Sequence, residues 1–346
     1  MAHRTGGTAS GPGKAHMSQS ASLLVLSAED VHALFGVDLA IESQRRAFTE
    51  LGLSRAVLPP RLLVPGRDDA VSFCYAARLS PDMGAVCKFG SVNPANGGRG
   101  LPVVSALVTV LDPEDGRPVA VMDGTSITTI RTSAASAVAV DALTGGGTRS
   151  LAILGSGVQA GAHVRAIARV RDLSDVRIWS PDTGQCRALA ATLDAESAFA
   201  VSAVASAEDA VRGADLVVCC TTSRDPVLQD DWLAPGATVI SIGSFAADRH
   251  EVPAELVARA GALVVDDVAT ALNDAGPIVR AISGSVVSAS DLIPLGEIVA
   301  GARAWRREDY DVVYFNSVGV GVQDAAAAAA VVEAALAGGR GVRVGL

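Results

Sequence analysis

Three cationic side chains in the first half of the chain stand next to apolar residues and could take part in chemistry. Lys88 closes the apolar run 84–87, at the predicted end of a strand. If its side chain points into a cleft, burial lowers the pKa of the ammonium group and lets it donate a proton. The pattern alone favours the alternative, in which Lys88 is a strand-end charge that reaches solvent.

Arg131 and Arg61 are the other two cations. Arg131 lies near the start of a helix predicted over residues 127–143, where a positive charge opposes the helix dipole. A substrate carboxylate held by the guanidinium group would explain that placement, and an ion pair with a neighbouring acidic residue would explain it equally well. Arg61 follows Pro59-Pro60 and begins a predicted strand, and its position alone indicates no function.

A glycine turn in the middle of the chain predicts a nucleotide site. The apolar residues 151–154 lead into Gly155-Ser-Gly157-Val-Gln-Ala160, after which apolar residues recur at helical spacing. Gly155 permits the turn, Gly157 lets backbone amides approach a pyrophosphate, and Ala160 lets the helix pack closely on the strand. The helix N-terminus attracts the phosphates. A strand before the turn and a helix after it favour dinucleotide binding over a purely structural turn.

Polar residues at two later strand ends also suit a dinucleotide. Ser180 follows the strand 175–179 at the position where an acid commonly binds the ribose of NAD, and Asp182 follows two residues later. Because no arginine stands beside them to pair with the 2′-phosphate of NADP, the sequence favours NAD and leaves NADP open. The segment Cys220-Thr-Thr222 ends another apolar strand, where it either contacts a cofactor or caps a turn.

Composition and charge exclude several classes of partner. The chain has 346 residues and a formal net charge of −9, which argues against nucleic acid and anionic membranes, because phosphate binding requires a basic surface. No apolar stretch reaches the length of a membrane span, and the N-terminus lacks a signal-peptide core, so we expect a cytoplasmic protein with free thiols. The histidines show no metal-ligand spacing, and no metal site is predicted. Residues 1–20 are expected to form a disordered tail.

Two arrangements of strands divide the chain. Up to residue 147 the predicted strands are joined by short turns, which is typical of a mainly antiparallel sheet. After the glycine run 145–147, strands and helices alternate, which is typical of a parallel Rossmann sheet. We therefore predict an α/β protein with a Rossmann dinucleotide-binding domain over residues 148–319. An α+β domain covers residues 21–147, and the helical C-terminal segment 320–346 returns to it.

Several separate stretches, taken in order, resemble one known family. They are Lys88-Phe-Gly90 with residues 93–102, and then residues 123–136, 155–160, 242–251 and 317–319. Over nearly its whole length after the tail, the chain resembles the ornithine cyclodeaminase and mu-crystallin family. The resemblance implies a homodimer in which the α+β domain binds the substrate and forms the dimer interface, while the second domain binds NAD or NADP.

The resemblance also implies roles for individual residues. Arg61 and Arg131 would bind the carboxylate of a small imino or amino acid, and Lys88 would act at its amine or imine nitrogen. Together with the glycine turn, the resemblance gives these candidate cofactor contacts: Thr132, Gly155, Ser156, Gly157, Val158, Gln159, Ser180, Asp182, Cys220, Thr221, Thr222, Ser244, Ser317 and Gly319.

One position departs from the family pattern and bears on the reaction. Ornithine cyclodeaminases have an aspartate for the substrate's amino groups where this chain has Phe245, and the proline two residues further on is Ala247. We therefore predict an NAD(P)-dependent oxidoreductase that interconverts a 2-imino acid and a 2-amino acid, with Phe245 lining the side-chain pocket. The imino acid is either a cyclic ketimine or the product of a 2-oxo acid with ammonia. Two alternatives stay open: a lyase with internally recycled NAD, and a non-catalytic binding protein similar to mu-crystallins.

Overall fold

The computed structural model describes residues 22–67 and 69–345, and it contains two β-sheets with helices packed against them. The tail predicted over residues 1–20 lies outside the described residues. In chain order the strands β1–β15 are Ser22–Leu26, Leu62–Pro65, Val71–Ala77, Val86–Val92, Val104–Leu111, Pro118–Asp123, Ser150–Leu154, Asp175–Trp179, Ala200–Ala203, Leu216–Cys219, Thr238–Ser241, Ala262–Val265, Leu292–Pro294, Val313–Asn316 and Val342–Gly345.

The helices α1–α11 connect or cover these strands. In chain order they are Ala28–Leu34, Val37–Gly52, Gly124–Leu143, Val158–Ile167, Thr183–Glu196, Ala207–Val211, Ala254–Arg259, Val268–Asp274, Gly276–Ser283, Leu295–Val299 and Gly321–Gly338. Within the described part of the chain, no helix is both long and apolar enough to cross a membrane.

The first sheet has the strand order β15-β1-β6-β5-β4-β3-β2. All of its pairs are antiparallel except β1 with β6, so the expectation of a mainly antiparallel sheet is confirmed. Successive side chains of a strand point to opposite faces. In β4, Val86 and Lys88 are therefore buried on the inner face, while Phe89 is exposed on the outer face.

The second sheet is parallel throughout and has the order β13-β12-β14-β11-β10-β7-β8-β9. The chain leaves β7 towards β8 and β9, and it then returns to place β10 on the other side of β7. This reversal is the topological switch point of a Rossmann sheet, next to which such sheets bind nucleotides. The predicted fold class, α/β with a Rossmann domain, is confirmed.

The C-terminal helix α11 packs on the first sheet. It packs against α2 and α3 and lies over β4. Its buried alanines, among them Ala325 and Ala328, have short side chains that let the three helices approach closely. This arrangement supports the division that we propose, with residues 21–147 and 320–346 in one domain and residues 148–319 in the other.

The structure corrects the predicted position of Lys88. Lys88 does not end a strand, because β4 continues to Val92 between β3 and β5. Gly90 does not terminate β4 either: a Cβ on Gly90 would lie 2.4 Å from the backbone oxygen of Ser105, so the glycine allows close approach of two strands.

Helix bounds also differ from the predicted ones. α3 begins at Gly124, before the predicted residue 127, because the Asp123 side chain accepts a hydrogen bond from the Ser126 amide and caps the helix. Arg131 therefore lies in the second turn of α3. The pattern did not indicate α7–α10, β13 or β15, since elements this short give too few positions for a period to show.

Candidate active site

Five neighbouring strands of the parallel sheet end side by side. In their order across the sheet, the strands β8, β7, β10, β11 and β14 end at Trp179, Leu154, Cys219, Ser241 and Asn316. Each of these last residues pairs in register with that of the neighbouring strand. The loops after these strands therefore open at one edge, around the switch point. The candidate cofactor residues lie in these loops or in the first turn of α4, except for Thr132, which lies in α3.

The glycine turn after β7 has the geometry that a dinucleotide requires. Gly155 has a φ of +125°, a backbone conformation that residues with a side chain rarely adopt. A Cβ at this position would also lie 2.6 Å from the backbone oxygen of Cys220. A Cβ on Gly157 would meet no described atom within 4 Å, so α4 begins beside open space. Gly157 caps α4 without a side-chain hydrogen bond, and Val158 is 75% exposed. Free N–H groups at a helix N-terminus beside open space can bind a pyrophosphate.

Several candidate cofactor side chains already have partners in the protein. Asp182 caps α5 and accepts a hydrogen bond from the Gln185 amide at 2.9 Å, and the Ser156 hydroxyl donates to Gln185 Oε1 at 3.0 Å. Ser244 is fully buried, and its hydroxyl accepts a hydrogen bond from the Glu251 amide at 2.9 Å. The cofactor contacts of these residues stay predictions.

A buried glutamate, Glu251, joins the loops that follow β10 and β11. Its Oε1 accepts hydrogen bonds from the Thr221 amide at 2.6 Å and the Thr221 hydroxyl at 2.8 Å. Its Oε2 accepts from the Ser241 hydroxyl at 2.7 Å and the Gly243 amide at 2.6 Å. Burial raises the pKa of Glu251, while these donors lower it. The carboxyl group therefore fixes two loops of the site relative to each other.

A second buried carboxyl group, Asp266 after β12, holds the turn that follows β14. Its Oδ2 accepts hydrogen bonds from the amides of Val318 at 2.7 Å and Gly319 at 2.8 Å, and the Ser317 hydroxyl donates to both of its oxygens. Burial raises the pKa of Asp266 from 3.8 to about 6, against the lowering effect of these donors. The turn containing Ser317 and Gly319 is thus held by hydrogen bonds within the protein.

Lys88 is buried rather than directed to solvent, so the alternative that the pattern favoured is wrong. The residue is 2% exposed. Its Nζ donates to Asp324 Oδ1 at 2.9 Å and to Thr128 Oγ1 at 3.1 Å, and it lies 5.2 Å from the ring centre of Tyr75. Burial lowers the pKa of Lys88 from 10.5 to about 8, Asp324 raises it, and Arg131 lowers it. An amine with this pKa can exchange a proton near neutral pH.

Arg131 shares the carboxylate that binds Lys88. Its Nε lies 3.3 Å from Asp324 Oδ1, and its Nη1 donates to Gln323 Oε1 at 3.2 Å. The acidic partner that one interpretation required is therefore present, although it comes from α11 and not from a sequence neighbour. The guanidinium group also borders the turn after β14, since a Cβ on Gly319 would lie 2.9 Å from both terminal nitrogens.

Arg61 bridges the two sheets. Its Nη2 lies 2.7 Å from Asp274 Oδ1 and donates to the Phe245 backbone oxygen at 3.2 Å, while Nη1 donates to the Tyr75 hydroxyl at 3.2 Å. Its Nε is buried and has no hydrogen-bond partner among the described residues. A buried donor without an acceptor costs free energy, and a ligand oxygen could supply the acceptor.

The three predicted cations therefore meet at one place. Tyr75 lies near both Lys88 and Arg61, with ring-centre distances of 5.2 and 6.0 Å. Lys88 and Arg131 share Asp324. Through Phe245 and Gly319, the two arginines contact loops that follow β11 and β14, at the edge where the glycine turn lies. The arrangement can hold a carboxylate and transfer a proton beside a dinucleotide.

The region around Lys88, Arg61 and Arg131 is called the cleft below, and it contains other polar residues that were not predicted. Gln323 and Asp324 precede six consecutive alanines in α11, and both are buried. Two polar residues within an apolar helix were a signal that could have identified them. Asp274, which pairs with Arg61, gave no comparable signal. Among the described residues, no group of three or more His, Cys, Asp or Glu side chains could hold a metal ion.

Comparison with known proteins identifies the family of this chain. The model of the ornithine cyclodeaminase/mu-crystallin family matches residues 22–339. The chain is 31% identical over 322 residues to an alanine dehydrogenase of Archaeoglobus fulgidus, covering 93% of this chain and 98% of that protein. A structure of Thermococcus litoralis delta(1)-pyrroline-2-carboxylate reductase in complex with NADH and L-proline superposes with a TM-score of 0.89 and 31% identity, covering 93% of this chain and 100% of that chain.

A third solved structure is similar over the same range. The iminosuccinate reductase of Paracoccus denitrificans in complex with NAD⁺ has a TM-score of 0.87 and 28% identity, covering 94% of this chain and 100% of that chain. The family model spans every strand of both sheets except β15, and it includes every element that contributes a residue to the cleft. This protein belongs to the ornithine cyclodeaminase/mu-crystallin family.

Proposed function

We propose that this protein is an NAD(P)-dependent oxidoreductase that interconverts a 2-imino acid and a 2-amino acid by hydride transfer. The observation that carries the proposal is a buried lysine, Lys88, with two arginines around it at the carboxyl edge of a Rossmann sheet. The relatives and solved structures described above are named for amino acid or imino acid substrates. The substrate is a cyclic ketimine carboxylate, or a small 2-oxo acid with ammonia.

Arg61 and Arg131 bind the substrate carboxylate. The unpartnered Nε of Arg61 supplies a donor, and the guanidinium of Arg131 faces the turn at Gly319. A guanidinium group binds a carboxylate through two parallel hydrogen bonds, which fixes the orientation as well as the position of the ligand. The carbon that changes oxidation state is thereby held in one orientation at the edge of the sheet.

Lys88 transfers a proton at the substrate nitrogen. Two acceptors, on Asp324 and Thr128, bind its Nζ, which leaves one N–H of the ammonium for the substrate. The glycine turn would hold the pyrophosphate of NAD(P), and the bound cofactor would supply the hydride for imine reduction or accept it in the reverse direction. In imine reduction Lys88 donates its proton to the nitrogen, and in amine oxidation it takes that proton back.

Phe245 favours an apolar or cyclic substrate over a diamine. Its backbone oxygen binds Arg61, and Arg249 lies 5.0 Å from the centre of its ring. A phenyl ring at position 245 cannot accept a hydrogen bond from a second amino group as a carboxylate could. This difference argues against ornithine cyclodeaminase activity.

We propose NAD as the preferred cofactor, with NADP as the second possibility. No arginine occurs in the segment from Ser180 to Gln185 after β8, where a 2′-phosphate would bind. The Thermococcus and Paracoccus structures contain NADH and NAD⁺ respectively.

We also propose that two copies form a homodimer through the outer face of the first sheet. Phe89 and Leu107 lie opposite each other on β4 and β5 and are 61% and 58% exposed. Leu62 and Val64 of the edge strand β2 are similarly exposed. Adjacent exposed apolar side chains mark interaction surfaces. A solved archaeal alanine dehydrogenase, which is 30% identical to this chain with a TM-score of 0.88 and covers 93% of this chain and 99% of that chain, is described as a dimer.

The proposal is tested with a panel of substrates and both cofactors. Pyrroline-2-carboxylate, piperideine-2-carboxylate and pyruvate with ammonia are each incubated with NADH or NADPH, and nicotinamide absorbance and amino acid product are measured together. We expect one amino acid for each NADH consumed. Ammonia release from ornithine without net change in NADH would instead indicate the lyase. Ligand binding without turnover of any compound would indicate the non-catalytic binding protein.

A further inference from the structure

A single carboxylate, that of Asp324, organises the cations of the cleft. Its Oδ1 lies 2.9 Å from Lys88 Nζ and 3.3 Å from Arg131 Nε. The side chains of Lys88 and Asp324 are both 2% exposed, and that of Arg131 is 7% exposed. Water is therefore largely excluded, and the interactions between these charges are stronger than they would be at a surface.

The charged groups around Lys88 do not act in the same direction. Asp324 on α11 favours the ammonium form, whereas burial and Arg131 on α3 disfavour it. Tyr75 on β3 adds a phenol ring beside Nζ, and Asp266 lies close enough to Arg131 for the two charges to interact. Asp324 is thus the acid that offsets both burial and the neighbouring guanidinium group.

The packing of α11 does not explain why residue 324 is an aspartate. The residue occupies the first turn of an alanine-rich helix, and its Oδ2 is buried without a hydrogen-bond partner among the described residues. A buried carboxylate with one unpaired oxygen costs free energy, and an alanine, like those that follow it, would avoid that cost.

We propose that Asp324 is a positioning residue, which holds Lys88 Nζ in the cleft and keeps it protonated for transfer to the substrate nitrogen. This inference rests on the proposed function. Asp324 acts through Lys88, and its Oδ1 also contacts Arg131. It therefore connects the proton donor to one of the two arginines that bind the substrate carboxylate.

The pH dependence of Asp324→Asn tests the proposal. Asparagine keeps the shape and an acceptor oxygen but removes the charge that raises the Lys88 pKa. We expect the basic limb of kcat/KM for imine reduction to move from about pH 8 to lower pH. If the limb moves down by one pH unit, kcat/KM of the variant relative to the wild type is about tenfold lower at pH 9 than at pH 6. Thr128→Val is the matched control, because it removes the uncharged hydrogen-bond partner of the same Nζ. We expect its basic limb to stay within a few tenths of a pH unit of the wild-type limb.

A basic limb that stays at the wild-type pH in Asp324→Asn would overturn the proposal, as would an equal shift in Thr128→Val. A second measurement does not depend on activity. In a double-mutant cycle of Asp324→Asn and Lys88→Met, we expect the two changes in unfolding free energy to be coupled, because each variant removes the partner of the other. Additive effects would refute the contact. If the wild-type protein turns over none of the imines but the two variants are coupled in stability, the proposed function is refuted and the contact between Asp324 and Lys88 is not.

Discussion

Replacement of Lys88 is the most informative single perturbation of the cleft. With a pKa of about 8, Lys88 is about 90% protonated at pH 7 and can act as an acid. Lys88→Met keeps an unbranched side chain of similar length in the buried space but has no proton to donate. General acid catalysis typically contributes about 10²–10⁴-fold. We therefore expect kcat for imine reduction to fall at least about 10²-fold.

Lys88→Arg separates proton transfer from positive charge. Arginine keeps the charge beside Asp324, but its pKa is too high for it to release a proton near neutral pH. We expect this variant to lose about as much turnover as Lys88→Met. Turnover is followed by nicotinamide absorbance under saturating substrate, and cofactor binding by quenching of intrinsic fluorescence, which should not change. Wild-type turnover in either variant, with every imine tested, would refute the role of Lys88.

Four further predictions concern the carboxylate site, the pocket, a buried acid and the dimer. Arg61→Lys and Arg131→Lys lose the planar fork and should each raise the KM for the imino acid at least about tenfold, or about 1.4 kcal/mol, with an unchanged KM for NADH in the same kinetic assay. Phe245→Asp should lower kcat/KM for a cyclic imino acid and raise binding of ornithine measured by calorimetry, because it introduces a carboxylate at the residue whose backbone oxygen binds Arg61. The folded-state pKa of Asp266 is raised to about 6, so its favourable contribution is present below about pH 4 and is lost as the pH rises through 6. In urea unfolding, the stability of the wild type relative to Asp266→Asn should therefore fall by about 2 kcal/mol between pH 4 and pH 7, and a constant difference would contradict this. Phe89→Asp combined with Leu107→Asp should convert the dimer to a monomer in light scattering, and an unchanged mass would exclude this face as the interface.

Features with a local cause could be predicted from the sequence. The turn at Gly155 follows from residues within ten positions of it, because the strand, the glycines and the helix are consecutive. The alternation of strands and helices after residue 147 likewise predicts a parallel sheet.

Features that depend on distant residues could not be predicted from pattern. Lys88 is buried because β3 and β5 flank its strand and α11 covers it, and α11 begins more than 200 residues later. A lysine between apolar neighbours gives the same local pattern whether its partner is water or Asp324. The pairing of Arg61 with Asp274 is of the same kind, since it joins the residue before β2 to the last residue of α8, more than 200 positions later. The resemblance to a family supplied the roles of these residues, whereas the partners appear only in the structure.

A structure of the protein in complex with NADH and L-proline tests the central claim most directly. We expect the carboxylate of the ligand to contact the guanidinium groups of Arg61 and Arg131, and its nitrogen to lie within about 3 Å of Lys88 Nζ. The nicotinamide ring should lie between the glycine turn and this nitrogen. A ligand bound outside the cleft, or one with its nitrogen turned away from Lys88, would contradict the account.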